Sequence, residues 1–74
     1  MSATIKGMEY AFVDILNIDQ LMENDLIEID EEVVQVIAIT SLPNGFAIGY
    51  QNEFGEKDIQ EFDDYATFKL FVIR

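Results

Sequence analysis

The chain has 74 residues, of which 50% are apolar and 12% aromatic, and its fifteen Asp and Glu against four Lys and Arg give a net charge of -11. With no cysteine and no histidine, disulfides, Cys/His zinc sites and imidazole-activated nucleophiles are excluded. The acidity argues against direct nucleic-acid binding and against anionic membranes, both of which are held through Lys and Arg; it suits a basic partner, a divalent cation or, the commonest explanation, simple solubility.

A chain of this length reads as one domain, residues 1–74, with a dense core, since a domain of roughly 60 residues buries only about 60% of the surface its unfolded chain exposes. The apolar content is too high for a disordered acidic segment. No apolar run has the length of a signal peptide or a membrane span, so a cytoplasmic location is expected.

Residues 1–7 lack periodicity and are expected to be loose. Met8 to Leu16 fits two patterns. As a strand it places Met8, Tyr10 and Phe12 on one face and Ala11, Val13 and Ile15 on the other; as a helix it places Met8, Ala11, Phe12, Ile15 and Met22 on one stripe. The strand is preferred, because Asn17 and Asp19 interrupt the helical stripe. Ile18 to Met22 reads as a single turn opened by Asn17 or Asp19, and Asn24 reverses the chain through a positive φ. Leu26 to Ile29 alternates, with Ile27 and Ile29 facing one way and Glu28 and Asp30 the other.

Val33 to Ile39 is β-branched and apolar on both faces, the profile of a central strand. Pro43-Asn44-Gly45 marks a tight reversal, with Asn-Gly expected to supply positive φ. Phe46, Ile48 and Tyr50 then alternate with Ala47, Gly49 and Gln51. Asn52 to Glu56 is a hairpin loop with Gly55 at its positive-φ position, and Lys57 to Phe62 is a polar edge strand around Ile59. A second single turn over Asp63 to Ala66 leads into a last strand with Phe68, Leu70 and Val72 inward and Phe71 and Ile73 opposite.

Short strands at this spacing predict an all-β barrel or sandwich. The spacing Leu21-(three residues)-Asp25-(one)-Ile27-(one)-Ile29-Asp30, followed by Val34, Val36 and Ile39, resembles the opening of Src-homology-3-like barrels of the translation-protein type, the KOW-like family found at the N-terminus of bacterial elongation factor P. The resemblance covers residues 17 to 73. It implies a small barrel of five to six strands with one or two single-turn helices, and a 3₁₀ turn before the last strand. This sequence has Asn24 where the family has a corner Gly. Its loops carry Glu31, Glu32, Glu53, Glu56, Asp63 and Asp64 where nucleic-acid-binding members carry basic residues, which argues against RNA binding. The peptide-binding branch uses a tryptophan in its groove, and none is present; Tyr10, Tyr50, Tyr65 and Phe54 read as core or its rim.

Glu31 with Glu32 and Asp63 with Asp64 are adjacent carboxylates in loops, where two solvated charges rather than an acid and base pair are expected, and no enzyme is predicted. Asp58, Glu61, Asp63 and Asp64 lack the spacing of a calcium loop, so neither a metal nor another cofactor is predicted. The expected role is a non-enzymatic acidic protein-interaction module, with Glu31, Glu32, Glu53, Glu56, Asp63 and Asp64 facing a basic partner. One alternative is a phosphate mimic that occupies the nucleic-acid-binding face of a basic protein. Such mimics are common among bacteriophage proteins, and the chain's compactness suits a phage origin, with the host cytoplasm as its place of action. The other alternative is a structural barrel that forms a homo-oligomer through an apolar strand edge at Tyr10, Phe12 and Val13.

Overall fold

The computed structural model describes residues 2–5 and 8–73. The described chain is all-β: seven strands and a single 3₁₀ turn, Ile18–Gln20. The strands are β1 (Ser2–Ile5), β2 (Met8–Asn17), β3 (Leu26–Ile29), β4 (Glu32–Leu42), β5 (Gly45–Gln51), β6 (Lys57–Asp63) and β7 (Thr67–Ile73). They form one antiparallel sheet in the order β1-β2-β7-β3-β4-β5-β6. The sheet curls as a barrel-like layer, but β1 and β6 are not paired with each other, so it is not closed. Within residues 1–7, expected to be loose, Ser2–Ile5 pair with β2 from Ser2↔Ala11 to Ile5↔Met8; Met1, Lys6 and Gly7 lie outside the described residues.

The strand reading of Met8 to Leu16 holds, since β2 runs from Met8 to Asn17. Its neighbours flank it on both sides over part of its length. β7 pairs with it from Tyr10↔Ile73 to Asn17↔Thr67, and β1 covers its other side as far as Ala11. The register shifts between Phe12 and Asp14, so Val13 is an extra residue on β2, the signature of a bulge. After β2 the 3₁₀ turn is held by the Asn17 N–H, which donates to Gln20 Oε1 at 3.0 Å. The corner that follows is fastened at three points. Asn24 has φ 78, Met22 N–H donates to Asp25 Oδ2 at 2.9 Å, and the backbones of Asn24 and Asp25 exchange bonds of 2.8 and 2.9 Å with Val36. Asn24 thus performs the reversal expected of it.

The β3–β4 hairpin is tighter than its sequence implies. Ile29 pairs with Glu32, leaving only Asp30 and Glu31 to turn the chain. Both take positive φ, 52 and 67, as a two-residue loop compatible with sheet twist requires. A glutamate in this conformation costs about 1–2 kcal/mol through the clash of its Cβ with the next carbonyl. Glu31→Gly is therefore expected to raise stability by about 0.5–1 kcal/mol, after the extra backbone entropy that glycine loses on folding is subtracted. An unfolding midpoint in urea that is unchanged or lower would refute this.

At Pro43-Asn44 the expectation fails in the opposite sense. Leu42 pairs with Gly45 across the two-residue turn, yet neither Asn44 nor Gly45 has positive φ. Proline fixes φ near -65° at the first turn position, which rules out the mirror-image turns. Gly45 is needed for a different reason: the β6 backbone passes so close that an added Cβ would meet Phe62 O at 2.0 Å and Asp63 Cα at 2.9 Å.

The main core lies on the concave face. Ile27 and Ile29 of β3, Val34 and Val36 of β4, Ile48 and Tyr50 of β5 and Phe68 of β7 pack there with Ile18 and Leu21 from the corner. This burial follows the alternation in β3 and β5. β4 has apolar residues on both faces because it serves two clusters. Val33 faces away from the core and packs with Tyr10, Phe71 and Leu26 on the convex side, where Phe12 meets Phe71 edge to face at 6.1 Å between centroids. β7 divides in the same way, Phe68 inward and Phe71 outward. Val72, expected inward, is exposed, because it pairs with Ala11 where β7 runs past the core.

Candidate functional site

One end of the sheet gathers negative charge around a tyrosine. The Asn52 to Glu56 loop sets the β5–β6 register, with Gln51 opposite Lys57 and Tyr50 opposite Asp58. Asn52 rigidifies that loop: its Oδ1 accepts from the N–H groups of Phe54 and Glu56, its Nδ2 donates to Glu56 Oε1 at 2.8 Å, and Gly55 supplies φ 80. The β3–β4 turn arrives alongside, with Gln60 Nε2 donating to Asp30 Oδ2 at 3.2 Å across the two hairpins. These elements enclose a cleft of about 390 Å³ lined by Asp30, Glu32, Glu56, Asp58, Lys57 and Tyr50, among others.

Tyr50 occupies the boundary between core and cleft. Its ring belongs to the main cluster and the residue is only 8% exposed. Burial raises the phenol above its usual pKa of 10.0, and the charges of Asp58, Asp30 and Glu32 raise it further. The sign of the consequence is fixed. In the unfolded chain the phenol ionises near pH 10, whereas in the folded chain it keeps its proton to higher pH, so stability is fully present below pH 10 and falls as pH rises through that value. Tyr50→Phe is expected to lose less stability than the parent between about pH 9 and 11. Parallel urea titrations across that range check this, and identical slopes would refute it.

The structure sorts the six expected acidic residues into separate places. Glu32 and Glu56 line the Tyr50 cleft, and Glu31 is exposed in the adjacent turn. Glu53 lies in a neighbouring cleft that shares Val34 and Asn52 with the first. Asp63 and Asp64 are elsewhere. β6 runs from Lys57 to Asp63, so they sit about 20 Å away at roughly 3.4 Å per residue. There Asp63 Oδ1 caps a turn by accepting from Tyr65 N–H at 2.9 Å, and Ala66 O accepts from Ile18 N–H. That segment is a turn and not a second helix.

Adjacency in sequence missed Asp30 and Asp58, which complete the acidic cleft. The signal that would have found Asp58 is the five-residue loop from Asn52 to Glu56, whose length alone pairs Tyr50 with Asp58.

Of the expected apolar edge, Tyr10 is buried at 9% exposure against Val33 and Phe71, whereas Phe12 and Val13 are 37% and 51% exposed. Tyr10 therefore does not project from the strand edge: it packs in the second cluster and forms part of the wall of the neighbouring cleft. Tyr65 and Phe54 are exposed, while Tyr50 is core. Among the described residues no three carboxylates converge as a metal site, and no helix is long and apolar enough to cross a membrane. The chain matches no known protein family, no curated protein and no solved structure among those compared.

Proposed function

We propose that this protein is a non-catalytic interaction module of Src-homology-3-like topology that docks a basic protein partner on its acidic end. The topology is supported by the strand order. Five strands, β3 to β7, run as successive hairpins whose last member returns to pair with the first, giving β7-β3-β4-β5-β6, with a turn at Asp63 to Ala66 before the last strand. The observation that carries the function is the convergence of Asp30, Glu32, Glu56 and Asp58 on one cleft beside Tyr50. Like charges held together repel, and a cationic partner relieves that repulsion while the net charge of -11 draws it in from a distance.

The test is capture from nuclease-treated lysate by the immobilised protein and by the triple variant Asp30→Asn, Glu32→Gln, Asp58→Asn. A basic protein held by the parent at low salt, released as salt rises and lost from the triple variant is the expected result. Equal capture by both proteins, or capture that resists high salt, would overturn the reading. Release by added DNA would identify the occupied surface of the partner as its nucleic-acid-binding face and make the module a phosphate mimic.

A specific observation also favours a second reading, self-association. Among the described residues β1 covers β2 only to Ala11, and beyond it the exposed Phe12, Val13 and Ile15 lie on a strand with an unpaired side. Val13→Lys would then lower the mass in solution without unfolding the protein, and an unchanged mass by light scattering would exclude it.

A further inference from the structure

The cleft next to the acidic one is built differently. It measures about 410 Å³, and its walls are Tyr10, Leu26, Val33 and Ile73 on the apolar side and Asn24, Gln35, Gln51 and Glu53 on the polar side. The amides form a relay: Gln51 Nε2 donates to Gln35 Oε1 at 2.8 Å, and Gln35 Nε2 donates to Asn24 Oδ1 at 3.3 Å. Directing its N–H groups along this line leaves Gln51 with its amide oxygen as an acceptor. Glu53 is the single carboxylic acid among the described residues of the lining. One of its carboxylate oxygens, Oε2, is closed off from solvent and has no hydrogen-bond partner among the described residues. Removing a charged acceptor from water without a partner is costly, and groups in that condition are rare in folded proteins. Among the described residues no lysine or arginine lines the cleft to compensate it.

We propose that this cleft receives one arginine side chain of the basic partner. The inference rests on the reading of the protein as an acidic docking module, and it names the anchor. The methylene stem of the arginine lies along Tyr10, Leu26, Val33 and Ile73, where its apolar length is buried. A turn of the Glu53 carboxylate about its terminal bond brings both oxygens to the guanidinium, whose planar fork matches a carboxylate in two parallel bonds. The Gln51 oxygen takes a further N–H. A lysine ammonium carries the same charge on a comparable stem but lacks the fork, so it satisfies the carboxylate less completely.

The experiment is a titration of isotope-labelled protein, followed by amide NMR, with the peptide acetyl-Gly-Arg-Gly-amide and with its counterparts carrying lysine or the neutral isostere citrulline. The arginine peptide is expected to shift amides of residues 33–35 and 51–55, and to bind at least about tenfold more tightly than the citrulline peptide, the minimum worth of one charge-assisted bond. Glu53→Gln, on an accessible loop and checked for its folded spectrum, is expected to remove about tenfold of the affinity. Glu61→Gln, exposed farther along β6 and outside both clefts, is expected to change it by no more than about twofold, the effect of one screened charge outside the site.

Equal binding of the citrulline peptide, undiminished binding to Glu53→Gln, or no shift with the arginine peptide up to ten-millimolar concentrations would each overturn the inference. Shifts centred on Tyr50 and Asp58 would overturn it too, but would leave the acidic docking reading standing. That reading fails separately, when capture is indifferent to neutralising Asp30, Glu32 and Asp58.

Discussion

Gly45→Ala is expected to destabilise the fold by about 3 kcal/mol or more, at the upper end of what overpacking costs. The new methyl group would be 2.0 Å from Phe62 O and 2.9 Å from Asp63 Cα, both of them backbone atoms that no rotamer change can move. Relief requires β5 and β6 to part at the start of their ladder. That would disrupt the Gly45↔Asp63 and Phe46↔Phe62 pairs and shift Phe62 from its edge-to-face contact with Phe68 at 4.9 Å. Gly49→Ala is the matched control in the same strand. There the nearest atom is the Ala38 Cβ at 3.4 Å, an ordinary contact, and glycine in a strand interior costs entropy that alanine recovers, so the change should stay within about 1 kcal/mol. Urea unfolding of both variants decides the matter. Similar midpoints would mean that the close approach of β6 is not what requires glycine at position 45.

Ile48→Ala is expected to cost about 4 kcal/mol, within the range for truncating a buried aliphatic side chain and leaving a cavity. Ile48 is 0% exposed and sits in the middle of β5, opposite Ile39 on β4 and Gln60 on β6. Its neighbours are strands held by ladders on both sides, which cannot collapse into the space. For a chain of this size a total stability of about 4–11 kcal/mol is typical, so the loss takes a large share of it. The melting temperature should fall by at least about 15 °C. Ile48→Val removes one methylene and should cost only about 0.5–1.5 kcal/mol. A thermal melt in which both variants behave alike would show that the space around Ile48 closes, contrary to the rigid packing described.

The sequence carried the elements well wherever a short-range rule governed them. Ile27 and Ile29 alternate with Glu28 because a strand has a period of two, and they are buried together in β3. Phe46, Ile48 and Tyr50 did the same for β5. Asn24 and Gly55 were legible as reversals because few residues accept positive φ. Lys57 to Phe62 was legible as an edge because most of its residues are polar and need no neighbour to cover them, and β6 lies at the edge of the sheet.

Reading by residue type failed where the reason for a residue was a distant neighbour. Gly45 looked like a turn glycine, but the strand passing beside it explains its presence. Asp30 read as the end of a strand alternation and Glu31 as an ordinary loop acid, yet the register of β3 with β4 forces both into positive φ.

The candidate site divides along the same line. Composition alone determined that the protein is acidic and that imidazole and thiol chemistry are absent from it. Local pattern determined most of its strands and reversals. Tertiary structure alone decided that β7 returns to lie between β2 and β3, so that Tyr10 is covered and Met8 to Leu16 is no longer an edge along its whole length. It also decided that Asp30 and Glu32, from one hairpin, meet Glu56 and Asp58, from another, around Tyr50, and that Glu53 holds a buried oxygen beside them. The physical reason is range: backbone sterics and side-chain alternation act over a few residues and can be read along the chain, whereas charge proximity and burial depend on which strands pair, and that is settled only when the whole sheet competes for its core.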